Sequence, residues 1–320
     1  MDTEQFAYSA FLVGFALTAL ASVCYIALPL WPRVAYGTAS TDAGATMTVT
    51  TEAQPPSWLA PAATTSAWLA LVALTMSLGA RWVAAERPPY TNMWEFTVGF
   101  GWGILLFHAL FEWRSRSETD TGAPGDLPAD RTVGAFLLPV ALAMFAVSLA
   151  FFPADVRPLL PALQANRILG AHVATMMLSY AALSVSFAAA AGYLVQARPE
   201  SASGGGRSAG RRFARLPSGE TLEEIANRSV LIGFPMLTLG VALGAYWAYS
   251  AWGRYWGWDP KETSALVTWL IYAGYLHARN LRGWKGRGAA WLLVIGFAAV
   301  LFSYFAVNLW VSGLHSYAGV

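Results

Sequence analysis

The chain has 320 residues, of which 56% are apolar and 12% charged, with a formal net charge of +2 and a mean hydropathy of +0.46. A soluble domain carries roughly 25% charged residues, so this composition excludes a soluble enzyme, a disordered chain and a disulfide-rich secreted scaffold, and so small a net charge gives no sign of nucleic-acid binding. What remains is an all-α polytopic membrane protein.

A bilayer core about 30 Å thick takes roughly 20 apolar residues per helix. Eight stretches meet that need, at about 6–30, 65–85, 93–113, 133–152, 167–197, 226–248, 261–279 and 289–312. The first follows an acidic flank, MDTEQ, and reads as a retained helix rather than a signal peptide. It holds the single cysteine, Cys24, which has no internal partner and reads as a small hydrophobe. A Thr-rich loop, 31–64, leads to the second helix. The run Pro88-Pro89-Tyr90-Thr91-Asn92-Met93-Trp94-Glu95-Phe96 feeds the third, with Thr91 or Asn92 as its cap. The small residues of ALSVSFAAAAG (182–192) suit close packing of the fifth helix. A Gly/Ser-rich linker, 198–225, carries five Arg, and the segment 279–287 carries three Arg and one Lys. The positive-inside rule places both on the cytoplasmic side. Counting helices from there puts both termini outside, and the loops 31–64 and 114–132 inside.

Between the sixth and seventh helices, on the outer side in this topology, lies YWAYSAWGRYWGWDPKETSALVTW (246–269). Trp favours the headgroup region, and a belt accounts for one or two Trp per helix end. Trp247, Trp252, Trp256 and Trp258 fall within twelve residues, mixed with Gly253 and Gly257, and this density also fits a flat aromatic platform for a planar ligand. Arg254 and Lys261 suit the carboxylates of such a ligand, and haem has that shape and charge. Asp259-Pro260-Lys261-Glu262 has the form of a helix start, with Asp at N-cap, Pro at N1 and Glu at N3.

The four histidines are His108, His172, His277 and His315. An ionisable residue in a membrane span is a functional candidate, and neutral imidazole ligates haem iron. At 1.5 Å rise per residue, His172 lies roughly 8 Å below the outer end of its helix, and His315 lies just beyond the outer end of the eighth. The two flank the tryptophan loop. His277 lies about 25 Å from the outer start of its helix and His108 about 24 Å, so depth alone allows an inner pair within one chain. Glu112, one turn after His108, is an alternative hydrogen-bond partner for it. The sequence has no Walker loop, Ser-His-Asp order or H-E-x-x-H, which argues against an ATPase or hydrolase.

WGRYWGWDPKE (252–262) resembles the tryptophan-rich WWD signature of the haem-handling proteins of cytochrome c biogenesis. HVATMMLSYAAL (172–183), LHARN (276–280) and LHSYA (314–318) are similar to the first external-His, transmembrane-His and second external-His segments of the CcsA/ResC family of System II. NMWEF (92–96) is similar to its N-L-Y-E motif in variant form. The resemblance covers about 88–320, a WWD haem-handling transmembrane domain containing the linker; residues 1–87, the N-terminal helices and variable loop, carry no signature. It implies a subunit of a haem lyase, or holocytochrome c synthase, in the cell inner (plasma) membrane. Haem b would be carried to the outer face and attached to the C-x-x-C-H motif of apocytochrome c, with a ResB/CcsB-like membrane subunit and a separate thiol-reducing protein as partners. His172 and His315 would be axial ligands of the outer haem under the loop of Trp252, Arg254, Trp256, Trp258 and Asp259, and His277 would ligate an inner haem with its opposite ligand from the partner. His108 is a rival for that place which the family pattern does not support. Two other readings stay open: a haem exporter or chaperone-loading protein without ligase activity, and a bis-His b-type electron carrier.

Overall fold

The computed structural model describes residues 2–31, 34–40, 46–52, 54–115, 127–156, 167–196, 216–311 and 313–315. The first part of the basic linker, 198–215, and most of the loop 114–132 lie outside the described residues. The helices are α1 (Thr3–Leu30), α2 (Leu59–Ala85), α3 (Met93–Ser115), α4 (Ala129–Phe151), α5 (Arg167–Gln196), α6 (Gly219–Trp252), α7 (Pro260–Arg282) and α8 (Arg287–Leu301). The last continues through a π-helical turn, Phe302–Ala306, to Val307–Leu309. Seven of these paths are long and apolar enough to cross a membrane. The remaining one, α7, spans 23 residues, about 35 Å at the helical rise, but is too polar to qualify by composition. The helical membrane fold expected from composition is therefore found. The loop 31–64 adds an antiparallel hairpin, β1 (Val34–Ser40) and β2 (Thr46–Glu52), with Val34 opposite Glu52.

Local chemistry sets the helix ends. Asp2 caps α1 by accepting from Gln5 N at 2.7 Å, and Ser218 caps α6 through Thr221 N at 3.2 Å. Asn92, as its position suggested, accepts from Glu95 N at 2.8 Å and opens α3. Gly253, with φ of 73°, ends α6 in the left-handed conformation, which costs glycine least. At the start of α7 the capping box is complete: Asp259 accepts from the first turn while Glu262 Oε2 accepts from Asp259 N at 3.1 Å.

The helices alternate in direction. At one end of the bundle, Arg81 of α2 donates from Nε to Glu95 of α3 at 3.0 Å and from Nη2 to the Asp155 carbonyl after α4 at 2.9 Å, and lies 3.6 Å from Glu4 of α1. At the other end, Glu112 near the close of α3 accepts from Tyr25 of α1 and from Thr64 and Trp68 of α2. In the C-terminal half, Glu223 of α6 pairs with Arg279 of α7 at 3.4 Å and accepts from Gly286 N before α8. The core of α1–α4 is aromatic, with Phe11, Tyr25, Trp94, Phe100 and Phe145 buried. Helix α5 joins the halves, packing on α3, α4, α6 and α8, whereas α7 packs on α6 and α8 at the margin. The alanines 188 and 189 of the small-residue stretch are wholly buried on α5.

Candidate functional site

A cleft opens at the Arg81 end of the bundle, between α5, the close of α6, the start of α7, the π turn of α8 and the segment before α3. His172 and His315 both line it. His172 reaches it because α6 presents two glycines to α5: a Cβ on Gly244 would lie 2.6 Å from the His172 ring, and one on Gly240 would lie 2.5 Å from Met176 Sδ. This close seam brings His172 Nδ1 to 2.7 Å from the Gly240 carbonyl. His315 Nδ1 lies 2.8 Å from Asp259 Oδ2. A carbonyl and a carboxylate accept and do not donate, so in both rings Nδ1 carries the proton. In that tautomer Nε2 is the ring nitrogen that would ligate a metal.

Asp259 is thus more than a cap. Its Oδ2 also accepts from Lys261 N at 3.0 Å, and its Oδ1 accepts from Leu314 N at 2.6 Å. Burial raises the pKa of this carboxyl, but the hydrogen bonds from His315, Leu314 and Lys261 outweigh it and hold the group below the ordinary aspartate value. One side chain therefore opens α7 and fixes the segment after α8.

The tryptophans do not share a plane. Trp252 meets the His315 ring edge-on at 5.1 Å and 73°, and Trp247 meets Trp252 at 4.8 Å and 71°. These two brace His315. Trp256 and Trp258 stand at 89° to one another. Trp256 lines the cleft, while Trp258, with φ of 57°, is 69% exposed. Arg254 is exposed and folds against Gly257. The flat platform read from the sequence is instead a set of crossed rings, because the turn at Gly253 and the left-handed backbone at Trp258 rotate successive indoles away from one another.

His277 lies on an exposed part of α7, away from the cleft. His108 is 0% exposed in the N-terminal half, edge-on to Tyr25 at 5.0 Å and against Gly134 of α4. The structure does not bring these two together, so depth alone is not enough to make them a pair.

Sequence reasoning missed much of the cleft wall. Met176, Met177 and Tyr180 line it together with His172, at spacings of four, five and eight along α5; that helical period was the signal available. Tyr90 and Tyr304 line it from distant segments. Tyr304 sits in the π turn and bonds Thr97 Oγ1 at 2.9 Å, a placement with no sequence signature.

A family model described as cytochrome c assembly protein matches residues 90–315. The chain is 36% identical over 292 residues to a cytochrome c biogenesis protein CcsA from Microcystis aeruginosa, covering 78% of this chain and 85% of that one. It is 35% identical over 313 residues to a CcsA from a Synechocystis species, covering 82% and 90%. Among solved structures, the cytochrome c haem lyase CcmF superposes with a TM-score of 0.65 at 19% identity, covering 95% of this chain and 47% of that one; that likeness is one of fold.

Proposed function

The chain belongs to the cytochrome c assembly protein family, and from that premise we propose that it is the haem-handling membrane subunit of a System II cytochrome c synthase. Haem b is its substrate. His172 and His315 are the axial ligands at the outer cleft, and attachment takes place there. In attachment the thiol S–H of each cysteine in a C-x-x-C-H motif adds across a haem vinyl group. An S–C bond forms on the carbon next to the ring, the hydrogen goes to the outer carbon, and no electron is gained or lost overall. The chain's share is placement: two imidazoles hold the iron, and an aromatic wall keeps water from the ring.

The observation that carries this reading is the state of the two imidazoles. Each has Nδ1 committed to an acceptor-only oxygen, and both rings line one apolar cleft. Two imidazoles of fixed tautomer lining such a cleft fit a six-coordinate iron porphyrin. His277 ligates an inner haem shared with a ResB/CcsB-like subunit, a role its exposure on the marginal helix α7 supports. The single cysteine, Cys24, is buried, so a separate protein keeps the apocytochrome thiols reduced. The cleft end faces outward from the plasma membrane, with both termini on that side. Arg279, Arg282, Lys285 and Arg287 gather at the opposite end, as cytoplasmic loops require.

Coexpression with a ResB-like subunit and a C-x-x-C-H reporter tests the reading. Wild type yields reporter that retains haem stain after denaturation. His172→Ala and His315→Ala each lose the outer haem and covalent product while the protein stays in the membrane, and His277→Ala leaves the outer cleft poorly loaded. Haem released without attachment points to an exporter. Wild-type haem spectra and attachment in both outer-His variants would overturn the ligand assignment.

A further inference from the structure

The connector between α2 and α3, residues 86–92, supplies Tyr90 to the cleft wall, and its own chemistry holds it rigid. Glu86 closes α2 in the left-handed conformation, with φ of 53°. Pro88 and Pro89 have φ fixed by their rings, and Tyr90 N donates back to the Pro88 carbonyl at 3.0 Å. Both ends of the connector then meet on one carboxylate. Glu95 Oε2 accepts from Arg87 Nη1 at 3.2 Å, and from Thr91 N and Thr91 Oγ1 at 2.9 Å each. Its other oxygen, Oε1, accepts from Arg81 Nε at 3.0 Å. Glu95 is 0% exposed, and two of its four donors belong to guanidinium groups, which make the stronger class of hydrogen bond. Tyr90 is the crest of the loop so closed. It lies on Gly170 of α5, where a Cβ would come within 3.0 Å of Tyr90 Oη, two residues before His172. Tyr90 also packs against the apolar cluster of Leu169 and Trp247, which Trp252 joins, and Trp252 meets the His315 ring. One side chain thus adjoins the surroundings of both imidazoles, from a segment that carries neither.

Resting on the haem reading above, we infer that Glu95 is a positioning residue for the outer site and acts through Tyr90. By tying Arg87 to Thr91 it fixes Tyr90 as a lip of the cleft, and the lip sets how long the porphyrin stays there. Glu95 itself touches no porphyrin. Arg81 serves Glu95 in turn, because a carboxylate held at Oε1 keeps Oε2 on the connector. The two imidazoles bind iron with or without the lip, so its loss shortens residence and leaves the ligation unchanged. Residence is the quantity that attachment needs, since haem must remain in the cleft until the apocytochrome thiols arrive.

The test is a double-mutant cycle on the purified full chain in lipid nanodiscs, loaded with haem and mixed with excess apomyoglobin as the acceptor. The Soret band gives the dissociation rate, and electron paramagnetic resonance gives the ligation. Tyr90→Ala releases haem about tenfold faster than wild type, with the bis-imidazole signal intact, since losing a contact at the edge of a site acts mainly on the off-rate. Glu95→Gln releases it faster by a similar factor, and the double variant is no faster than Tyr90→Ala alone. Thr91→Val removes one donor to Glu95 and leaves its pair with Arg81 whole. It speeds release even where Glu95→Gln does not fold, and Thr91→Ser, which keeps the hydroxyl, restores the wild-type rate. A wild-type rate in Tyr90→Ala, additive effects in the double variant, or equal rates for Thr91→Val and Thr91→Ser would each overturn the lip. A wild type that binds no haem overturns the haem reading itself, and the lip falls with it.

Discussion

Asp259 separates two functions that sequence alone merges. As an N-cap it is replaceable by Asn, which caps a helix about as well. As the partner of His315 Nδ1 at 2.8 Å it supplies a formal charge that an amide lacks. Asp259→Asn should therefore keep the thermal stability of wild type to within about 1 kcal/mol, while the affinity of the outer cleft for haem drops roughly 10- to 100-fold, as for the loss of a partner that orients a metal-ligating imidazole. A melting curve and a haem titration on the same preparation check this, and an unchanged affinity would show that the carboxylate only caps. The capping box was legible in Asp259-Pro260-Lys261-Glu262, because its offsets are local. The bond to His315 was not, because it joins residues separated by 56 positions and depends on where α8 ends. His172 and His315 were visible as a pair from depth and motif. Their fixed tautomers became visible only when Gly240 and Asp259 were placed beside them.

At the scale of elements, the seam between α5 and α6 determines whether the cleft has its first imidazole. Ser179 Oγ donates to the Gly233 carbonyl at 2.8 Å. Gly240 and Gly244 follow on the same face, where small residues let two backbones approach. Gly244→Val places two methyl groups where the His172 ring now lies, and the ring must leave or the helices must part. We expect the variant to remain in the membrane, because the rest of the seam is intact, and to lose the spectral signature of bis-imidazole iron. Electron paramagnetic resonance of the loaded protein checks this, and a wild-type bis-imidazole signal would show that α6 yields instead. The spans themselves were legible as runs of apolar residues, and Asn92 as the start of α3 from its residue type. Arg81 gave no such signal. It is 2% exposed, against a Glu95 that is 0% exposed, and it lies over Trp94 at 5.2 Å. It reads from sequence as a charge at a helix end, whereas here it ties the ends of α2, α3 and α4 together. Removing one member of such a buried pair typically costs roughly 3–5 kcal/mol.

At the scale of the molecule, every element of the function depends on which membrane face the cleft opens to. The alternation of helices puts Glu4, Arg81, Glu95, His172, Trp252 and His315 at one end, and Glu112, Glu223 and Arg279 at the other. The fold makes these two ends inseparable, so labelling one site at each end fixes the orientation of all eight helices. The composition supplies a clean background, because the only cysteine, Cys24, is buried in α1. Ser250, exposed near the close of α6, reports the cleft end, and Ser201 in the Arg-rich linker reports the other. In intact cells a membrane-impermeant maleimide should label Ser250→Cys and spare Ser201→Cys, which should become reactive only after permeabilisation. Ser250 is not among the residues that line the cleft and Ser201 belongs to the linker, so haem-dependent reporter maturation should persist and certify the fold in which the labelling was read. The opposite labelling pattern would place the two oriented imidazoles in the cytoplasm, where exported apocytochrome never meets them. The chemistry assigned to His172 and His315 would then have no thiol to act on.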